Sequence, residues 1–248
     1  MTIPNASKQR RKIWKNKRIL REIYQDWYKQ IIADLKPSGN KTLEIGAGSG
    51  NFKDFKPDII ACDIEPNKWI DRTFDAHKIP FKNGSIGNIV LIDTLHHLSD
   101  PITFLYEAAR VLEENGRLIM LEPFPSPLSL LVYKIFHPEP FIMDVDYFNS
   151  KRIKKYKNSL YSPNQAIPFL LFFKNYQKTK QVFDKTFCLT KRKKICFILY
   201  PASGGFKNVS LISDSMTFFM KYLEILLIPF KDLLAFRCYI VLERKEFI

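Results

Sequence analysis

Three glycines spaced by single residues, Gly46, Gly48 and Gly50, follow the apolar stretch Leu43-Glu44-Ile45 in a chain of 248 residues. Asp63 stands thirteen residues past the last of them and closes a second apolar stretch, Ile59-Ile60-Ala61-Cys62. A strand, a glycine-rich turn, a second strand and an acid at its end make a site for a nucleoside cofactor. Glycine lets backbone N–H groups approach the ligand with no Cβ in the way. The carboxylate accepts hydrogen bonds from both ribose hydroxyls. The dinucleotide fingerprint is G-x-G-x-x-G. Here the third glycine comes one residue early and position 51 is Asn, so the pattern is acidic-x-Gly-x-Gly-x-Gly, led by Glu44.

Further segments follow in order. Asp75-Ala76 precedes Ile79-Pro80-Phe81 and a turn, Lys82-Asn83-Gly84-Ser85. A buried-strand run over 86–92 ends in Asp93-Thr94-Leu95-His96-His97-Leu98. Asp100-Pro101 opens a helix that closes on Ala108-Ala109-Arg110-Val111-Leu112, and a turn at Asn115-Gly116 leads into a strand from Arg117 to Glu122-Pro123. Over residues 41–123, a third of the chain, this series resembles the class I S-adenosylmethionine (SAM) dependent methyltransferases, in their UbiE-like (methyltransferase type 11) small-molecule branch.

The resemblance implies an α/β fold: a Rossmann-like class I methyltransferase sheet, mostly parallel with the last strand antiparallel. It implies methyl transfer from the sulfonium of SAM, leaving S-adenosylhomocysteine, by an in-line displacement that depends on alignment and requires no metal. Gly46, Ala47, Gly48 and Gly50 are then expected to shape the cofactor turn. Glu44 supports the methionine end, where an acid is useful; beside a pyrophosphate it would be repelled. Asp63 takes the ribose with Ile64 beside the adenine, Asp75 and Ala76 meet the adenine edge, and Asp93 lies under the methionine moiety. For removing a proton from the acceptor the candidates are His97, Glu122 and His137, with His96 beside them, because a histidine titrates near neutral pH. In this branch the His-His pair after strand four also serves as a structural element.

The chain departs from the family in spacing. Twelve residues separate Gly50 from Asp63, where about twenty is usual, so the first helix after the turn is expected to be barely two turns long. The interval from Asp63 to Asp75 leaves little room for a helix and a third strand.

Those motifs must be held by elements the rest of the sequence supplies. An apolar share of 46% supports one sizeable core. The pattern predicts a helical N-terminal cover over 1–40, with Ile13, Leu20, Tyr24, Trp27, Ile31 and Leu35 at helical spacing. It predicts a SAM-binding core over 41–123, then a lid and closing strands of the same sheet over 124–248. The closing strands are expected at 187–200, broken by a basic turn at 190–194, and at 238–243. Residues 124–180 and 202–232 are then insertions above the strand C-termini. Prolines 123, 125, 127, 138 and 140 allow only a short amphipathic helix at 128–136.

Charge is uneven. Residues 1–36 carry ten Lys/Arg against three Asp/Glu, residues 37–150 ten against sixteen, and residues 151–248 nineteen against six. Basic runs at 8–21, 151–157 and 191–194, set among aromatics, are either solvated helix faces or an attraction to something anionic: a phospholipid surface, a phosphate-bearing substrate or RNA. The four cysteines lack C-x-x-C spacing, which speaks against structural zinc or a disulfide framework and suits a reducing, cytoplasmic setting; peripheral membrane contact is the expectation if the basic flanks bind an anionic surface. No apolar run approaches the ~20 residues of a membrane span.

Three functions follow. The first is methyl transfer to a small organic, lipid or glycan-linked acceptor. The second is methylation of RNA at ribose; the post-strand-four segment lacks the Pro-Pro-aromatic motif of base-amino methylases, so nucleic acid is the weaker expectation. The third is a non-catalytic scaffold of the same fold.

Overall fold

The computed structural model describes residues 3–37, 40–136, 139–149, 163–207 and 209–246. His137, the basic run at 151–157, Tyr156 and Tyr161 lie outside the described residues. Seven strands form one sheet: β1 (Lys41–Ile45), β2 (Ile60–Asp63), β3 (Arg72–Thr73), β4 (Ile86–Ile92), β5 (Leu112–Pro123), β6 (Phe187–Ile195) and β7 (Arg237–Arg244). Their order is β3-β2-β1-β4-β5-β7-β6. The first five are parallel, and β7 runs antiparallel to both of its neighbours. The fold class expected from the sequence is therefore observed.

Alternation along the strands splits the core between the two faces, as the two-residue period of a pleated strand requires. Leu118 and Met120 of β5 join Ile240 and Leu242 of β7 on one face. Ile119 and Leu121 join Tyr239 and Val241 on the other. The first face is covered by α3 (Pro101–Val111) and by residues 166–187. Within that stretch a helical turn at Ile167–Phe169 continues as a π-helical turn, Leu170–Lys174. Helix α3 starts where Asp100 accepts a hydrogen bond from the Thr103 N–H at 3.0 Å and Pro101 occupies the first turn, a standard N-terminal cap.

The second face is covered by α1 (Ile3–Asn16) and α2 (Arg18–Asp34). In α2 the buried Leu20, Tyr24, Trp27 and Ile31 recur every three or four residues, the stripe that faces a core. Among the described residues, five further helices are α4 (Pro127–Phe136), α5 (Tyr176–Phe183), α6 (Leu199–Ser203), α7 (Thr217–Leu226) and α8 (Lys231–Leu234).

Three local expectations need correction. The helix after the glycine turn is a single 3-10 turn, Asn51–Asp54, shorter than two turns. The turn expected at Asn115-Gly116 is absorbed into one long β5 as a bulge: Asn115 takes φ +58°, and the register against β4 shifts between Ile86 and Asn88. The basic stretch 190–194 does not break β6. It forms part of the outermost strand, with a register shift between Leu189 and Lys191. Lysines are tolerated there because an edge strand has one unpaired, solvated side. Lys191 reaches back to the buried Asp34, and Arg192 lies 4.9 Å over the ring of Tyr176. The strand ends at Ile195, and Tyr200 belongs to α6.

Candidate active site

The turn after β1 is built for close approach. Gly46, Gly48 and Gly50 all have positive φ, at 76°, 55° and 64°, a region that side chains disfavour. A Cβ on Gly46 would sit 2.2 Å from Thr94 Oγ1, and one on Gly50 would sit 2.8 Å from the Trp69 carbonyl oxygen. Gly48 differs: its nearest neighbour would be Arg10 Nη1, 3.9 Å away, so its backbone faces open space. Asp63 fixes this turn. Its Oδ2 accepts from the Gly48 N–H at 2.8 Å and its Oδ1 from the Glu65 N–H at 3.1 Å. Asn67 Nδ2 donates to the Gly48 carbonyl at 2.9 Å.

The turn opens on a cavity of about 970 Å³ at the C-terminal ends of β1, β4 and β5, the edge where open α/β sheets bind ligands. Glu44, Gly46, Ala47, Gly48, Asp93, His96 and His97 line it, together with Arg10 of α1, Tyr24 and Tyr28 of α2, and Arg237 of β7. Its volume lies at the upper end for small-molecule sites, roughly 300–1,000 Å³, room for a nucleoside cofactor and an acceptor together.

Among the described residues lining this cavity, Glu44 Oε2 and Arg237 Nε are buried polar atoms with no hydrogen-bond partner. Burial, reinforced by the nearby Asp63 charge, pushes the Glu44 carboxyl up to about 8. An unpaired buried carboxyl costs free energy unless a ligand completes it. Arg237 pairs with Asp93, which holds φ +53° at the end of β4. Its guanidinium lies 4.7 Å over the Tyr200 ring. Burial lowers it to about 10, so it remains a cation at neutral pH.

Glu122 is fully enclosed. Its Oε1 accepts from the Thr94 and Leu95 N–H groups at 2.8 and 2.7 Å, and its Oε2 meets His96 Nδ1 at 2.7 Å. Burial alone would lower His96. The hydrogen bonds the ring donates to the carboxylates of Glu122 and Glu139 outweigh burial and hold it up at about 9. His97 lies beside it, with the two rings tilted by 38° and their centroids 4.1 Å apart. Burial and the His96 charge push His97 down to about 4, so it is neutral near pH 7. Glu122 and His96 thus form a brace for the loop after β4, while His97 offers a neutral imidazole to the cavity.

Among the described residues, two constellations bring three donor atoms within 4.8 Å of one another: His96, His97 and Glu139, and Asp93, His96 and Glu122. In both, His96 Nδ1 is already committed to Glu122.

The structure therefore brings Glu44, Gly46, Ala47, Gly48, Asp93 and His97 together around one cavity, with Asp63 joined through Gly48. Ile64, Asp75 and Ala76 are not part of its lining. Ile64 is 43% exposed, Ala76 is buried in the core, and Asp75 is turned to His77, bonding its N–H at 2.9 Å and its Nδ1 at 2.6 Å. Gly50 acts one step back, under Trp69. Sequence reasoning missed Arg237, Arg10 and the tyrosines. For Arg237 a signal existed: one arginine heads the otherwise apolar run Cys238-Tyr239-Ile240-Val241-Leu242.

SAM fits these residues: a glycine cradle with one glycine open to the cavity, and an unpartnered buried carboxyl, Glu44, on the lining of the same cavity. Comparison with known proteins agrees with this fit. The model of a methyltransferase domain family matches residues 16–167. A SAM-dependent methyltransferase from Archaeoglobus fulgidus has a similar structure, with a TM-score of 0.54, 15% identity, and coverage of 91% of this chain and 94% of that one. Geranyl diphosphate C-methyltransferase from Streptomyces coelicolor, solved with Mg2+, geranyl diphosphate and S-adenosylhomocysteine, gives 0.50, 11%, 90% and 80%. An uncharacterized 37.1 kDa protein of transposon TN4556 from Streptomyces fradiae is 45% identical over 49 residues, which span 20% of this chain and only 14% of that protein. The family match covers more than half of the chain, and the sheet order, glycine turn and cavity agree with it: the protein belongs to the methyltransferase-domain family, on the class I SAM-dependent fold.

Proposed function

We propose that this protein transfers a methyl group from SAM to a small organic or lipid acceptor bound in the same cavity. The observation that carries the proposal is the buried, unpartnered Glu44 oxygen, set at the glycine turn inside a cavity large enough for two ligands. When bound, SAM supplies a methyl carbon already activated by its sulfonium. The chain's task is alignment and exclusion of water. Gly46 and Gly48 present backbone at the turn, Glu44 opposes the cationic methionine end, and Asp63 takes the ribose while it fixes Gly48. Arg237, held by Asp93, offers its remaining N–H groups to a carboxylate.

On the acceptor side, His97 is the neutral hydrogen-bond acceptor that orients a hydroxyl or amine and takes its proton. The Glu122–His96 brace keeps the His97 ring in place. Leu128, Val132, Tyr133 and Phe136 give the outer cavity an apolar wall, which supports an acceptor with a hydrophobic body. The test is calorimetric titration of SAM and S-adenosylhomocysteine into the purified chain, followed by methyl-transfer assays on lipid and small-molecule extracts. Micromolar binding of both is expected. Absence of binding to either would remove the proposal.

A further inference from the structure

We propose that the apolar surface formed by α4, α7 and α8 is a docking face for an anionic phospholipid bilayer, set so that the cavity mouth opens onto the membrane. The proposal rests on the methyltransferase reading and specifies where its acceptor comes from: a lipid that enters the cavity from the bilayer.

A large set of apolar side chains stands in solvent on this side of the molecule. On α4 they are Leu131, Ile135 and Phe136; on α7 they are Phe218, Tyr222 and Ile225. Ile228, Phe230 and Leu233 continue the surface through the turn into α8, which packs beside α4. Phe218 is 86% exposed, Phe136 65% and Ile225 62%. Isolated exposed apolar residues need no explanation, whereas a contiguous patch of this kind marks an interaction surface.

Charge selects the partner. Helix α4 contains no acid and carries the exposed Lys134. The one acid of α7, Glu224, is turned inward, where its carboxylate accepts from the N–H groups of Phe197, Ile198 and Leu199 at 2.9, 2.6 and 2.8 Å. Asp232 of α8 is neutralised by Lys194 at 2.6 Å, while Lys231 beside it is exposed. Helix α1 has no acid, and its Lys8, Arg10, Lys12 and Lys15 are exposed. Lys221 of α7 is paired with Asp26 at 2.6 Å. The face therefore presents large apolar side chains with the exposed Lys134 and Lys231 set among them and the cations of α1 beside the cavity, the combination that holds in-plane helices about 5–10 Å into an anionic membrane surface. A protein partner for so basic a face would need its own acidic complement; a bilayer containing phosphatidylglycerol has one everywhere.

Position links the face to the chemistry. Phe136 of the patch also lines the cavity, as do Val209 and Leu211, which are 86% and 83% exposed. Arg10 of α1 lines the same cavity. The apolar lip and the basic helix thus share one rim, and a lipid tail can pass from the bilayer to the cavity along apolar surface while its head group meets Arg10.

The test is flotation with phosphatidylcholine vesicles, with and without phosphatidylglycerol. The full chain is compared with the triple variant Phe218→Ser/Ile225→Ser/Phe230→Ser and with Lys134→Ala and Lys231→Ala. None of these residues lines the cavity, so melting temperature and SAM affinity are expected to be unchanged in every variant. The unaltered chain is expected to float with phosphatidylglycerol vesicles. The triple variant is expected to lose at least about a hundredfold in partitioning, and each lysine variant roughly fivefold, lost again at high salt. Failure of the unaltered chain to float while it still binds SAM would overturn the membrane face and leave the methyltransferase reading intact. A dimer in sedimentation that the triple variant dissociates would assign the face to a second copy of this chain and would also overturn the proposal.

Discussion

Replacing Glu44 by Gln tests the cofactor site through its protons. Burial and Asp63 hold the Glu44 carboxyl at about 8 instead of the ordinary 4.5. Near pH 7 the unliganded site therefore carries ~0.9 of a proton. A cationic ligand beside the carboxyl favours its ionised form, so SAM binding is expected to release close to one proton. The affinity should tighten by roughly tenfold per pH unit as pH rises toward 8. Isothermal calorimetry in buffers of different ionisation enthalpy reads the proton directly. Glu44→Gln, nearly the same shape with nothing to titrate, should bind with a buffer-independent enthalpy and a flat pH profile.

The same shift bears on stability. The folded pKa lies above the unfolded one, so the contribution of Glu44 is fully present below about pH 4.5 and is lost as pH rises through 8. At about 1.4 kcal/mol per unit, holding this carboxyl neutral near pH 7 costs roughly 3 kcal/mol relative to an amide. Glu44→Gln is therefore expected to melt roughly 5–10 °C higher near pH 7, with no difference near pH 4. A buffer-independent enthalpy in the unaltered protein, with no gain in melting temperature for the variant, would refute the placement of Glu44 as a protonated group facing the cofactor.

Asp63→Ala should weaken SAM binding by about ten- to a hundredfold, because it removes charged hydrogen bonds to the ribose and frees the Gly48 N–H; calorimetry showing unchanged affinity would take Asp63 out of the site. Gly46→Ala should lose roughly 2–4 kcal/mol in urea unfolding, since its Cβ would collide with Thr94 at a positive φ; Gly48→Ala, with open space, should cost about 1 kcal/mol and act mainly on cofactor affinity. His96, raised to about 9, contributes stability that is present below about pH 6.5 and lost through 9, worth roughly 3 kcal/mol; Glu122→Gln should remove most of that dependence in melting curves. His97→Ala should lower kcat with SAM affinity unchanged, and in the unaltered enzyme His97 protonation should limit the rate only as pH falls toward 4.

Much of this molecule was legible in its sequence because the information is local. A glycine can adopt positive φ wherever it stands, so Gly46, Gly48 and Gly50 declared a turn before any packing was known. Apolar runs of strand length between turn residues located β1, β2, β4 and β7, since burial on both faces leaves little choice of side chain. Asp100-Pro101 announced the start of α3 for the same local reason. Spacing gave the first helix as too long, because a 3-10 turn advances the chain with fewer residues. The basic stretch of β6 misled because charge resembles a turn signal until one knows that the strand lies at an edge.

The contacts that assign roles are not local, and no residue pattern contains them. Glu122 looked like a base at a strand end; folding encloses it among Thr94, Leu95 and His96 and makes it a brace. Its neighbours come from 26 to 28 positions away, and pairing with the carboxylates of Glu122 and Glu139 decides which of two adjacent buried histidines is charged. Arg237 reaches Asp93 across 144 residues. Glu44 is one acid among many in the sequence; only the closure of α1 and α2 over the sheet removes water from it and leaves its oxygen without a partner. The sequence determined the backbone of the cofactor turn, because chain geometry is a property of residue type. Tertiary structure alone decided the charges around it, because desolvation and pairing depend on what distant segments bring near.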